Sequence, residues 1–183
     1  MDWYALLKFL HVSAAVVWVG GGFTLMVLAL RAERAGDIDG MLQSMRATAD
    51  LGNRVFVPAS LLTLVFGLIM CWFWVGFSDL WIVIGLVGFA STFLVGILVF
   101  KPTSERMTAT VNAEGPTPAV LADGRRLMRF ARFDYAVMLV VVADMVLKPT
   151  PADLPVLVAM AIALVAGSAL AFGAFRDTAQ ARA

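Results

Sequence analysis

The sequence predicts an all-α integral membrane protein, a helical bundle of five transmembrane helices in one domain that spans residues 1–183. Three observations predict this class. Hydrophobic residues make up 61% of the chain and charged residues 15%, against about 45–50% apolar and about 25% charged in soluble domains. Several apolar runs reach about 20 residues, which is enough to cross a hydrocarbon core about 30 Å thick. The basic residues cluster in alternate connections between these runs.

Four crossings follow directly from the apolar runs, at residues 3–30, 55–77, 80–100 and 154–175. A fifth crossing, at residues 133–148, carries Asp134 and Asp144 and is short by itself. It becomes long enough if its helix begins near Pro118, a residue type that suits the first helical turn, with Thr117 as the N-cap.

Helix ends and extensions are predicted from local signals. The pairs Lys101-Pro102 and Lys148-Pro149 are each expected to end a helix, because Lys complements the C-terminal dipole and Pro prevents continuation. The stretch at residues 37–54 is expected to be amphipathic and to continue into the second crossing, with a kink at Pro58.

The basic residues predict the orientation. With five crossings, every Lys and Arg except Lys8 and Lys148 lies on one side of the membrane. The positive-inside rule places that side and the C-terminus in the cytoplasm, and the N-terminus outside. Aromatic residues that favour the interface fall at the predicted outer ends; these are Trp3, Tyr4, Trp72, Trp74 and Trp81. We therefore expect a multi-pass protein of the bacterial cytoplasmic (inner) membrane.

Composition narrows the partners. A net charge of +1 argues against nucleic-acid binding, and the single cysteine, Cys71, excludes a disulfide framework within the chain. The expected partner is the lipid bilayer. Small residues recur at spacings of four in the third and fifth crossings, and such stripes favour close helix contacts. They predict either packing inside the bundle or a face for a homodimer or for another subunit of a membrane complex.

Ionisable residues inside a bilayer are costly and therefore mark possible sites. On a rise of 1.5 Å per residue, His11 lies about 12 Å below the outer boundary and Asp144 about 6 Å below it. Lys8 shares a helix face with His11, as Lys148 does with Asp144. We expect a polar cluster of Lys8, His11, Asp144 and Lys148 in the outer half. Pairing of Asp144 with Lys148 alone is the simpler alternative, and Asp134 is expected to be an interfacial ion partner beside Arg132.

His11, the only histidine, is a possible haem ligand because neutral imidazole commonly binds iron. Ala14, Ala15, Trp18 and Gly22 lie near its helix face, and the small residues among them are expected to admit a flat macrocycle. Met145 is at a compatible depth to be a second axial ligand. The iron could instead be five-coordinate or shared across a dimer. The alternative without a cofactor is that His11 bonds a backbone carbonyl or Asp144.

The first crossing, "LLKFLHVSAAVVWVGGGF", and the later "DMVLKP" resemble an uncharacterised family of small bacterial predicted integral membrane proteins, which implies a membrane fold and no particular activity. The His, Trp and Gly pattern of the first helix is also similar to HemJ-type protoporphyrinogen oxidases and to CopD-type copper-resistance membrane proteins. The HemJ resemblance implies that His11 is a haem ligand. This sequence has "FTLMVLALRAER" where the Leu-Pro-Arg element of HemJ-type proteins is expected.

From these features we expect a small b-type haem protein with a role in electron transfer or tetrapyrrole handling, with His11 as the axial ligand. A membrane oxidoreductase activity is compatible with that cofactor and is not itself indicated. Two alternatives remain open. One is an accessory or structural subunit of a membrane complex, without a cofactor. The other is a small transporter that uses Asp144.

Overall fold

A computed structural model describes residues 1–172, which form five long helices and no strand. We number them α1 (Trp3–Ala35), α2 (Ile38–Val75), α3 (Leu80–Glu114), α4 (Pro118–Leu147) and α5 (Leu154–Phe172). The all-α prediction is confirmed. Four helices, α1, α2, α3 and α5, are long and apolar enough to cross a membrane. The predicted end of the last crossing, at residues 173–175, lies outside the described residues.

The helices that flank the first connection are longer than the apolar runs. Helix α1 continues to Ala35 and ends at Gly36, whose φ of 66° is the left-handed conformation that glycine adopts without strain. Asp37 then caps α2, because its carboxylate accepts a 2.9 Å hydrogen bond from the Gly40 amide. The amphipathic stretch therefore belongs to the same helix as the second crossing, as predicted.

The expected helix end at Lys101-Pro102 is wrong, because α3 runs through both residues to Glu114. A π-helical turn at Gly96–Phe100 precedes the proline, and the Lys101 amide donates to the carbonyl of Gly96, five residues back. The extra residue in this turn relieves the clash that a proline ring makes with the preceding turn.

The expected end at Lys148-Pro149 is confirmed. Lys148 adopts a left-handed conformation and its amide donates to the Asp144 carbonyl at 2.8 Å.

The same local sequence accompanies a π turn in two helices. Residues 52–58 read Gly-Asn-Arg-Val-Phe-Val-Pro and residues 96–102 read Gly-Ile-Leu-Val-Phe-Lys-Pro, a shared Gly-x-x-Val-Phe-x-Pro pattern. The π turns cover Gly52–Phe56 and Gly96–Phe100. The predicted kink position Pro58 therefore lies just after a π turn, where the wider backbone tolerates it.

Helix α4 lies among its neighbours. It packs against α3 and α5, and it also contacts α1, whereas α1 packs mainly on α2. Close approach depends on glycines: a Cβ on Gly88 of α3 would overlap Val141, and one on Gly167 of α5 would overlap the side chain of Ala136. The small-residue stripes thus serve packing inside the bundle at these two positions. Because α4 packs against three other helices, it can hold acidic residues away from lipid.

The connection from α4 to α5 is fixed by one acidic side chain. The Asp153 carboxylate accepts hydrogen bonds from the Thr150 hydroxyl at 2.7 Å and from the Thr150 amide at 2.8 Å. Both bonds favour the charged form, so they hold the pKa of Asp153 below its ordinary value. This turn reverses the chain and returns α5 against α4.

We expect Gly167→Ala to destabilise the bundle. The added methyl would meet the Ala136 side chain, which has no rotamer to give way, so the helices must separate. Overpacking of this kind costs about 1–3 kcal/mol. Gly20→Ala is the control, because nothing lies within 4 Å of its Cβ position. Thermal unfolding in detergent should show a lower midpoint for the first variant only, and equal midpoints would contradict the α4–α5 contact.

Candidate functional site

A cavity of about 250 Å³ lies between α1, α2, α3 and α4. It occupies the half of the bundle where α1 and α3 end and where α2 and α4 begin. We call this the basic end, because all described Lys and Arg residues except Lys8 and Lys148 lie toward it. The volume exceeds the roughly 150 Å³ of an engineered cavity that binds benzene. The space is therefore large enough for a small organic molecule.

Irregular helix geometry borders this cavity on three sides. Trp18 belongs to the π turn Val16–Gly20 of α1. The other two bordering segments are the π turns of the Gly-x-x-Val-Phe-x-Pro pattern, of which Gly52, Phe56, Gly96 and Phe100 line the cavity. Single-turn π segments inside α-helices are frequent at functional sites. Here they combine glycine, which leaves space, with phenylalanine, which forms a wall.

The walls are mainly aromatic and apolar. Five aromatic side chains line the cavity: Trp18, Phe56, Phe93, Phe100 and Tyr135. The Trp18 ring is held edge-on against Phe89 of α3, with 5.4 Å between ring centroids. Methionines from several helices fill the spaces between the rings. Apolar walls with a few polar groups are typical of small-molecule sites.

Asp134 is the acidic group inside the cavity wall. Its residue is only 4% exposed, and its Oδ1 has no hydrogen-bond partner among the described residues. The expected pairing with Arg132 is wrong, because the Arg132 guanidinium turns to Glu33 of α1 at 3.6 Å. An unpartnered buried carboxyl is costly in a protein interior and more so within a bilayer. Asp134 is therefore a candidate functional group of the cavity.

Tyr135, the next residue, has its hydroxyl against Gly22 of α1, where a Cβ would overlap the phenol oxygen. Gly22 is thus required for the close approach of α1 and α4 beside Asp134. The Tyr135 ring also packs against Phe23, with 5.8 Å between centroids. This contact fixes the wall of the cavity next to the carboxyl group.

The cavity is not sealed. Among its lining residues Asn53, Val57, Ile97, Lys101 and Glu105 are exposed. Lys101 and Glu105 are four residues apart on α3 and form a charged rim, whereas Asp134 lies within. The charged groups that line the site are therefore two acids and one base.

His11 lies outside this cavity. Its Nδ1–H donates a 2.7 Å hydrogen bond to the carbonyl of Thr63 on α2. The ring packs on Gly67, where a Cβ would lie 3.1 Å from Cε1. Within the described residues Nε2 has no hydrogen-bond partner. The imidazole thus links α1 to α2, and its second nitrogen keeps a free lone pair.

Among the described residues, no side-chain hydrogen bond or ion pair joins the other members of the expected polar cluster to His11 or to one another. The Lys8 ammonium lies over the Tyr4 ring at 5.5 Å, and the Lys148 ammonium lies over the Trp81 ring at 4.9 Å. Asp144 is fully buried against Gly85, and neither of its carboxylate oxygens has a partner.

The proposed haem residues are divided between two places. Trp18 and Gly22 line the cavity, whereas His11 and Met145 do not. The Met145 methyl group packs toward Gly85 of α3, next to Asp144. Sequence reasoning missed Asp134 as a cavity residue because its neighbour Arg132 offered a plausible partner. The repeated Gly-x-x-Val-Phe-x-Pro pattern is the signal that could have located the site.

The fold and the site define an all-helical membrane protein with a cavity between four of its helices. Residues 5–149 match the family model described as predicted integral membrane protein (DUF2269), and the chain belongs to this family. Comparison with the curated proteins and with the solved structures gave no match. The resemblance of the first helix to HemJ-type and CopD-type proteins is not supported by these comparisons.

Proposed function

We propose that the protein binds a small lipophilic molecule inside the membrane, in the cavity at the basic end. The observation that supports this most strongly is the position of Asp134, a buried carboxyl group with an unpartnered oxygen in an otherwise apolar and aromatic wall. A ligand with a hydrogen-bond donor would satisfy that oxygen while its apolar body fills the remaining space.

The bilayer is the natural source of such a ligand. Molecules with an apolar body concentrate in the membrane, and the partly open cavity lies between helices that cross it. The polar rim at Lys101 and Glu105 would allow the ligand to exchange with the aqueous side. We therefore propose a carrier or sensor of a membrane-soluble compound in the bacterial inner membrane.

The proposed topology has five crossings, with the N-terminus outside and the C-terminus in the cytoplasm. Helix α4 is the fifth crossing. It begins after α3 has reached the basic end, and α5 starts from the opposite end, so α4 has to carry the chain back. Gly88 and Gly167 pack against this helix, and its exposed side chains Leu139, Val142 and Val146 are apolar, as a crossing helix requires. The basic end then faces the cytoplasm, in agreement with the positive-inside rule.

Filling the cavity should weaken binding. Nothing lies within 4 Å of a Cβ placed on Gly96, which lines the cavity, so Gly96→Phe would insert a ring into the space. Gly20→Phe is the matched control, because its Cβ is equally unobstructed and it does not line the cavity. The probe is 1-naphthalenemethanol, measured by fluorescence titration against nanodiscs with and without the protein.

Saturable binding above the empty-nanodisc background is expected for the original protein and for Gly20→Phe. For Gly96→Phe, we expect affinity to fall by at least about tenfold, roughly the loss of 1.4 kcal/mol. Equal saturable binding by both variants would place the ligand elsewhere. The proposed function would be contradicted if the original protein bound neither this alcohol nor the corresponding amine, 1-naphthylmethylamine, saturably.

A second candidate function, haem b binding through His11, is favoured by one specific observation. A ligating histidine commonly donates its other ring N–H to a carbonyl or carboxylate, which fixes the tautomer. The bond from Nδ1 to Thr63 has this form and leaves Nε2 free. This hydrogen-bond pattern would suit an axial ligand; because His11 does not line the cavity, a haem on Nε2 would lie outside it, where it would supply one-electron chemistry. Met145 is packed toward Gly85 on α3, so a second ligand would come from outside this chain or be absent.

Purified protein reconstituted with haem should then show a Soret band, and a reduced-minus-oxidised spectrum should show an α band. We expect His11→Ala to remove both bands, because no other histidine exists in the chain. Met145→Leu should leave them unchanged, since its side chain faces α3. Absence of a Soret band in the original protein after haem addition would exclude this candidate.

A further inference from the structure

We infer that the cavity selects an organic cation: a small aromatic or aliphatic body with one ammonium group, held by Asp134 and by the surrounding rings. This inference rests on the proposed function and names the class of its ligand. The juxtaposition that supports it is a buried carboxyl group within a wall that contains five aromatic side chains.

The carboxyl group gives the first reason. Asp134 makes no ion pair and no hydrogen bond through Oδ1 among the described residues. Its nearest basic neighbour in sequence, Arg132, is already paired with Glu33. A buried carboxylate is stabilised best by an opposite charge that also donates a hydrogen bond. An ammonium group supplies both, whereas a neutral alcohol supplies only the hydrogen bond.

The aromatic wall gives the second reason. The faces of Trp, Tyr and Phe rings attract cations, and aromatic cages are a recurrent way to bind ammonium groups. Trp18 and Tyr135 come from α1 and α4, and the phenylalanines come from α2 and α3. Rings therefore approach the cavity from every helix that encloses it. An anionic head group would meet the acid and the ring faces and would be repelled by both.

The charged residues at the rim of the cavity are compatible with a cationic ligand. Lys101 is the one basic residue among those that line the cavity, and it is exposed, with Glu105 one helical turn away on α3. Its ammonium group can remain in water, where it does not compete for the buried carboxyl group. A phospholipid tail would fill the apolar volume and leave Asp134 unsatisfied, so it is the weaker occupant.

The test compares two probes with the same apolar body. 1-Naphthylmethylamine is protonated at neutral pH, whereas 1-naphthalenemethanol is neutral. Both are titrated against the full chain in phosphatidylcholine nanodiscs, which carry no net surface charge, with empty nanodiscs as background. We expect the amine to bind at least about tenfold more tightly than the alcohol, because the charged hydrogen bond is the stronger one.

Two variants assign that preference to one carboxyl group. Asp134→Asn keeps the size of the side chain and removes its charge, so the preference for the amine should disappear while the alcohol still binds. Asp144→Asn is the matched control on the same helix, because Asp144 is also buried and does not line the cavity. It should keep the preference, and so should Asp134→Glu.

The outcomes separate the two proposals. Equal affinity for amine and alcohol in the original protein, or an unchanged preference in Asp134→Asn, would overturn the cation inference and leave the proposed function standing. Saturable binding of neither probe would overturn both. Retained alcohol binding by Asp134→Asn shows that this variant is folded, so loss of the amine preference then supports the inference directly.

Discussion

Hydrocarbon supplies no hydrogen bonds, so each polar group within the bundle has to find its partner in the protein or in a ligand. Most side chains in the described residues obey this constraint locally: Thr63, Ser168 and Ser60 donate to carbonyls of their own helices, and His11 donates across to α2. Helix α4 does not obey this constraint, because two of its acidic side chains have oxygens that lack a partner. Asp134 and Asp144 are both buried and both keep unpartnered oxygens. They differ in their surroundings, since only Asp134 borders a cavity.

The shape of that cavity follows from irregular backbone in the helices around it. A π turn adds a residue to a helical turn, tolerates a following proline and changes the direction of the side chains around it. The two Gly-x-x-Val-Phe-x-Pro segments place such turns in antiparallel helices α2 and α3, with a third in α1. In each segment the glycine has no side chain to fill the cavity, and the phenylalanine forms part of the cavity wall. Helix geometry and site chemistry therefore arise from the same short segments.

Composition and apolar run length were sufficient for the all-α membrane class, and capping rules were sufficient for the Thr117 start and the Lys148 end of α4. The third helix was misjudged at Pro102, because a stop rule assumes regular α geometry and cannot foresee a π turn. The site was harder still. Depth along a helix placed Lys8, His11, Asp144 and Lys148 in the same half of the membrane, but the rotation of each helix and the choice of its neighbours decide which side chains touch. Helix rotation and neighbour choice depend on glycine contacts such as that of Gly22 with Tyr135, which bring together helices distant in sequence.

The central claim is that Asp134 is kept for a ligand and not for the stability of the bundle. Its most direct test is the thermal stability of Asp134→Leu in detergent without added ligand. Removing an unpartnered buried polar group should stabilise the protein by about 1–3 kcal/mol, since function rather than folding requires the carboxyl group. A higher unfolding midpoint than that of the original protein is predicted. A clearly lower midpoint would show that Asp134 supports the fold itself and would contradict the account.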